Sequence, residues 1–161
     1  MKLMNWVVFL FAIFFSLTAS AAGQHAGGHG HHGSPIGELG SAAAVTRTIQ
    51  VEMLDTMRFS PASFAVKQGQ TVRFVIKNAG QLKHEFVMGT KKDLDAHYEL
   101  MKKHPHMEHA EDNMLSLEAG KSGELIWKFT QAGTVDVACL FPGHYDAGMK
   151  AAIKVGSVAS K

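Results

Sequence analysis

The chain has 161 residues and a formal net charge of +2 at pH 7, enough sequence for one domain. It contains no long basic run, which excludes the electrostatic footprint of a nucleic-acid-binding protein. Its one cysteine, Cys139, excludes an intrachain disulfide.

Residues 1–22 have the layout of a secretory signal peptide. Lys2 precedes an apolar run from Trp6 to about Leu17, and small residues follow as a cleavage box, Ala19-Ser20-Ala21 or Ser20-Ala21-Ala22. The apolar run is roughly a dozen residues, whereas a membrane span needs about 20. The expected product is exported, cleaved near residue 21 or 22, and not stably inserted in a membrane. In an oxidising compartment a lone cysteine must be buried, paired with another chain, reactive, or bound to a metal.

Residues 23–44, GQHAGGHGHHGSPIGELGSAAA, are rich in Gly, Ala, Ser and His and poor in large apolar residues. This composition predicts a flexible tail. Its histidines, His25, His29, His31 and His32, suit a soft metal-binding tract, although a solvated linker carrying histidines has the same composition.

From Val45 the pattern becomes β-like, and one domain is expected over residues 45–161. VTRTIQVEM alternates, with Val45, Arg47, Ile49, Val51 and Met53 on one face. Two strand-like runs follow at 63–66 and 71–77, joined by a turn at Gly69 and closed by Asn78-Ala79-Gly80. HEFVMG is another short strand. SGELIWKFT points Leu125, Trp127 and Phe129 one way, GTVDVAC does the same with Val135, Val137 and Cys139, and MKAAIKV closes the domain. Short β segments split by Gly and Pro turns predict an all-β sandwich or barrel.

Residues 90–114 interrupt that pattern. Leu94, His97 or Tyr98, and Met101 recur at helical spacing until Pro105, so this insertion of about 25 residues is predicted helical in its first half. It is also rich in His and Met: His97, Met101, His104, His106, Met107, His109 and Met114. Met53 and Met57 flank Asp55, and Met88 lies just past His84. Thioethers and imidazoles suit Cu(I). Met53, Met57, Met88, His104, His106, Met107, His109, His29, His31 and His32 are therefore candidate auxiliary copper contacts. For any one of them, a core methionine or a solvated histidine is the simpler role.

Residues 138–149 read ACLFPGHYDAGM. Cys139 ends a predicted strand. Leu140-Phe141-Pro142-Gly143 can turn His144 back toward it, and Asp146-Ala147-Gly148 can bring in Met149. A thiolate, an imidazole and a distant thioether suit a soft transition metal, and copper cycling between Cu(I) and Cu(II) fits best. A trigonal site needs a second imidazole from another strand, and His84 in LKHEF is the candidate. Taken singly, a buried Cys is usually a small hydrophobe, a turn His is usually structural, and a late Met is usually core. Their combination points to copper.

That loop resembles the C-terminal ligand loop of the cupredoxins, the small type 1 copper proteins, and the likeness runs roughly from Val45 to Val155. The resemblance implies a cupredoxin-like Greek-key β-sandwich with a short helical Met/His-rich insertion. It implies a mononuclear type 1 copper site with His84, Cys139, His144 and Met149 as metal ligands. With its His-rich leader and its insertion, the chain looks most like bacterial periplasmic cupredoxins associated with copper tolerance. In azurin- and plastocyanin-like members an Asn commonly follows the first histidine ligand and bonds toward the cysteine loop, whereas here that residue is Glu85.

A binuclear site of the cytochrome-oxidase type needs two cysteines, and multicopper oxidases and copper nitrite reductases carry His beside the Cys. Cys139 stands alone between Ala138 and Leu140, so an enzyme is not expected. A cysteine nucleophile with His84 as base leaves the spacing of His144 and Met149 unexplained. Two functions remain, and both use the same copper. One is copper homeostasis or tolerance with one-electron transfer as the molecular capability. The other is a dedicated carrier to a respiratory or oxidase partner. The expected partners are the copper ion and a redox or copper-handling protein, which Leu140, Phe141 and Pro142 would meet as an apolar rim around His144.

Overall fold

The computed structural model describes residues 34–105, 107 and 110–158. The predicted signal segment, His25, His29, His31, His32, His106 and His109 lie outside the described residues.

Ten strands and one helix are found there: β1 (Glu38–Leu39), β2 (Arg47–Leu54), β3 (Arg58–Ser60), β4 (Ser63–Lys67), β5 (Thr71–Asn78), β6 (His84–Gly89), α1 (Lys91–Lys103), β7 (Met114–Leu117), β8 (Ser122–Lys128), β9 (Gly133–Ala138) and β10 (Lys150–Gly156). They form two five-stranded sheets, ordered β1-β8-β5-β2-β3 and β4-β10-β9-β6-β7. β2 runs parallel to β5 and β4 parallel to β10, while the other pairs are antiparallel.

The alternation seen in the sequence decides which faces meet. Ile49, Val51 and Met53 of β2, Phe74 and Ile76 of β5, and Leu125 and Trp127 of β8 point inward. They meet Phe64, Phe86, Val135, Val137, Ile153 and Val155 of the second sheet in one core. Phe74 sits at its centre, with ring contacts to Phe64, Phe86 and Phe129 at 6.0, 5.6 and 6.3 Å. The expected β-sandwich is thus the fold found. Arg47 sits at the open end of β2, where it is exposed and its guanidinium reaches the Ala65 carbonyl of β4.

The predicted flexible tail is corrected over residues 34–44. β1 pairs with the edge of β8, Ile36 is buried, and the Trp127 indole N–H donates to the Ile36 carbonyl at 2.7 Å. One buried apolar side chain and a paired indole anchor a stretch whose composition alone reads as linker.

The insertion is helical in its first half, as its spacing predicts. Thr90 caps α1 by accepting the Asp93 N–H, and Lys102 and Lys103 close its last turn. Leu94, Tyr98 and Met101 form its buried stripe; His97 is only half-buried. The stripe packs with Val87, Met114, Ala138 and Leu140 as a second apolar cluster outside the sandwich.

Candidate metal centre

His84 opens β6, a strand buried along its whole length between β7 and β9. The loop before it is wound around Asp55, which lies in the turn between β2 and β3. The Asp55 carboxylate accepts the Gln81 N–H at 2.7 Å and the Leu82 N–H at 3.2 Å. The chain passes so close at Gly80 that an added Cβ would lie 1.9 Å from Asp55 Oδ1. Asn78 ties the same loop from its other side, donating to the Leu82 and Leu117 carbonyls and accepting from the Gly80 N–H.

Asp55 Oδ1 also lies 3.0 Å from His84 Nε2. The Gln81 N–H foremost, and then His84, hold the Asp55 carboxyl below its ordinary range, so it is an ionised acceptor. The imidazole proton therefore sits on Nε2, and the Nδ1 lone pair is left free. Nδ1 is buried and has no hydrogen-bond partner. A buried nitrogen without a partner is costly unless something occupies it.

Cys139 follows β9, and its N–H donates to the Met149 carbonyl at 3.1 Å. Lys150 pairs with Ala138 across β9 and β10, so the register sets Met149 opposite Cys139, and both are fully buried. Between them the loop coils back on itself. His144 N–H donates to the Phe141 carbonyl, Ala147 N–H to Gly143, and Met149 N–H to His144. Gly143 and Gly148 take φ of 89° and 90°, the left-handed turns this path requires. The Arg58 guanidinium reaches across from the start of β3 to the Ala147 carbonyl at 2.8 Å.

His144 thereby places Nδ1 3.3 Å from Cys139 Sγ, and its ring centre is 5.0 Å from that of His84. One ligand atom each from His84, Cys139 and His144 fall within 4.8 Å of one another. Among the described residues no other group of three His, Cys, Asp or Glu does so. Burial pushes the Cys139 thiol up to about 12. Burial, followed by the neighbouring His84, lowers His144, which keeps its imidazole neutral at pH 7.

Two imidazoles and one thiol sulfur suit copper, and Met149, buried and paired by its backbone with Cys139, is the nearest thioether-bearing residue along the loop. The orphaned His84 Nδ1 fits a metal there. Glu85, the departure noted in the sequence, does what the family's Asn is expected to do: its carboxylate accepts the Leu140 N–H at 2.8 Å and joins β6 to the cysteine loop.

The auxiliary candidates are placed elsewhere. Met53 and Met88 are buried in the sandwich core, and Met57 packs half-buried against it. His104 caps the C-terminus of α1, and Met107 is exposed beyond it. The apolar rim is also corrected: Leu140 is fully buried in the second cluster, which leaves half-buried Phe141 and exposed Pro142 beside His144. The supporting residues Asp55, in a polar turn, and Arg58, at the start of β3, have no signal of their own in the sequence.

Residues 45–156 match the family of copper binding proteins described as plastocyanin/azurin. A copper-resistant cuproprotein CopI from Rubrivivax gelatinosus is 48% identical over 145 residues, 86% of this chain and 88% of that protein. A protein of the same name from Pseudomonas aeruginosa is 36% identical over 150 residues, covering 73% and 81%. Among solved structures, auracyanin from Roseiflexus castenholzii superposes with a TM-score of 0.59 at 22% identity, over 70% of this chain and 98% of that one. Auracyanin B gives 0.58 at 24% identity, over 76% and 97%. The two auracyanins establish the sandwich fold alone. The extent of the family match establishes descent: this chain belongs to the plastocyanin/azurin family of copper binding proteins.

Proposed function

We propose that the chain is an exported, periplasmic protein that holds one type 1 copper through His84, Cys139, His144 and Met149, and that it serves copper tolerance. The observation that carries this reading is the cluster itself, in which His84, whose Nδ1 is buried and unpartnered, lies beside a thiol and a second imidazole. The relatives named for copper resistance support the physiological half. Copper would supply a one-electron couple at this site. The protein's own part is to hold the donors in place and to shield them from water. Half-exposed His144, beside Phe141 and Pro142, is the edge where a redox or copper-handling partner would dock. No catalytic turnover is assigned to the chain. Weaker copper contacts are proposed for His104 and Met107, and for the histidines outside the described residues.

Copper uptake should release protons in a defined number. Metal-free Cys139 is a thiol at neutral pH, since burial pushes it up to about 12, and a metal takes it as thiolate. His144 is already neutral and would bind through a nitrogen lone pair without losing a proton. Adding Cu(II) to the metal-free protein near pH 8 should therefore release about one proton per bound copper, read with an indicator dye in weak buffer. Cys139→Ala should release none.

The tolerance role is tested by deleting the gene and growing cells on graded copper. The deleted strain should be copper-sensitive, and the wild-type chain should restore growth where Cys139→Ala does not. Unchanged sensitivity would contradict the tolerance reading and favour a dedicated electron carrier.

A further inference from the structure

The chain has two tyrosines, and both lie where α1 meets the ligand loop. Tyr98 belongs to α1 and Tyr145 directly follows His144. Tyr98 O–H donates to Asp146 of the loop at 2.6 Å, and Tyr145 O–H donates to Asp95 of α1 at 2.6 Å. Each element thus gives one phenol and one carboxylate to the other. The two rings lie 4.8 Å apart, the Gly143 N–H donates to the Tyr98 oxygen at 3.4 Å, and Lys150 Nζ lies 3.6 Å above the Tyr145 ring.

Four of these residues, Gly143, Tyr145, Asp146 and Lys150, lie next to His144 or Met149 or in the short segment between them. The loop's other hydrogen bonds are largely internal, apart from the Arg58 contact to Ala147 and the ties of Cys139 and Leu140. Such a loop has few external restraints, and its ends would open at low cost. Hydrogen bonds to charged partners contribute more than neutral ones. A crossed pair of them also fixes orientation, because both must break for the loop to swing away from the helix.

We infer that α1 is a positioning brace: Tyr98–Asp146 and Tyr145–Asp95 hold the segment between His144 and Met149 in its metal-ready shape. Part of the Met/His-rich insertion would then serve the copper site mechanically, through α1, and not by binding metal. This rests on the ligand assignment proposed above, but its decisive measurement needs no copper.

The test uses the full chain carrying Tyr98→Phe and Tyr145→Phe together, which keeps both rings and removes both hydroxyls. In the metal-free protein, hydrogen exchange at the backbone amides of His144, Ala147, Gly148 and Met149 should quicken by about tenfold or more, since one lost charge-assisted bond corresponds to at least that factor. Exchange at core amides such as Phe74 and Val137 should not change. In the copper-loaded protein the visible absorption should shift and copper loss to a chelator should quicken by about tenfold. Unaltered loop exchange, or equal acceleration at Phe74 and Val137, would overturn the brace. A wild-type protein that takes up no copper would refute the proposed function, and the exchange result would still decide the brace.

Discussion

Cys139→Ala should leave the protein folded and strip it of its thiolate-to-copper absorption. Cys139 is fully buried between the end of β9 and Met149, and alanine fits the space a thiol leaves. The cost in stability should be about 1 kcal/mol, read as a small shift of the denaturation midpoint with an unchanged slope. The effect on copper is far larger. The thiolate is the only anionic donor among the four proposed ligands, and the intense visible absorption of such a site comes from its bond to the metal. The variant should lack the intense band at one equivalent of copper, with at most the weak absorption of Cu(II) on nitrogen or oxygen ligands. An intense band that survives would mean that its absorption does not come from Cys139.

Asp55→Ala should have the second largest effect, although Asp55 is not a proposed ligand. Its carboxylate gathers the Gln81 and Leu82 amides and the His84 ring. Without it, the loop before β6 loses the anchor around which it is wound, and His84 loses the contact that keeps its proton on Nε2. Copper affinity should fall by about 10–100-fold, the usual consequence of removing a partner behind a metal-bound histidine. The carboxylate also makes the imidazole a stronger donor, which favours the more charged Cu(II) state. The reduction potential should therefore rise in Asp55→Asn, which keeps the shape and one acceptor oxygen but not the charge. Equilibrium dialysis and protein-film voltammetry read the two quantities. An unchanged affinity and potential would show that His84 is held in place by β6 alone.

Much of this was legible in the sequence because it depends on local pattern. Alternation at Ile49, Val51 and Met53, and again at Leu125 and Trp127, fixes which side of a strand is dry. The spacing of Leu94, Tyr98 and Met101 does the same for α1. The distance from Cys139 to His144 and Met149 reflects one compact loop, so three of the proposed ligands could be named together. His84 is harder, because nothing local ties it to that loop. Only coordination chemistry points to it, because a trigonal site asks for a second imidazole from another strand.

What escaped the sequence depends on contacts between distant segments. Asp55 and His84 are separated in the chain by two strands of the first sheet and β4 of the second. An acidic residue in a turn has no feature that announces a histidine beside it. The crossed Tyr–Asp pairs join α1 to a loop beyond three more strands, and nothing local in Asp95, Tyr145 or Asp146 announces the pairing. Ile36 was hidden differently: a Gly- and Ser-rich neighbourhood lowers the average hydrophobicity of its window, while one inserted side chain and the Trp127 bond are enough to anchor it. Leu140 misled as a rim residue because its neighbours Phe141 and Pro142 do reach the surface, whereas its own side chain turns toward α1.

The most direct test of the centre is a titration of the metal-free wild-type protein with Cu(II), followed by visible absorption. A thiolate-bound copper at His84, Cys139 and His144 predicts an intense charge-transfer band that grows linearly and saturates at one equivalent, because the chain has one cysteine. No visible band at one equivalent would contradict the assignment of this cluster as the copper site.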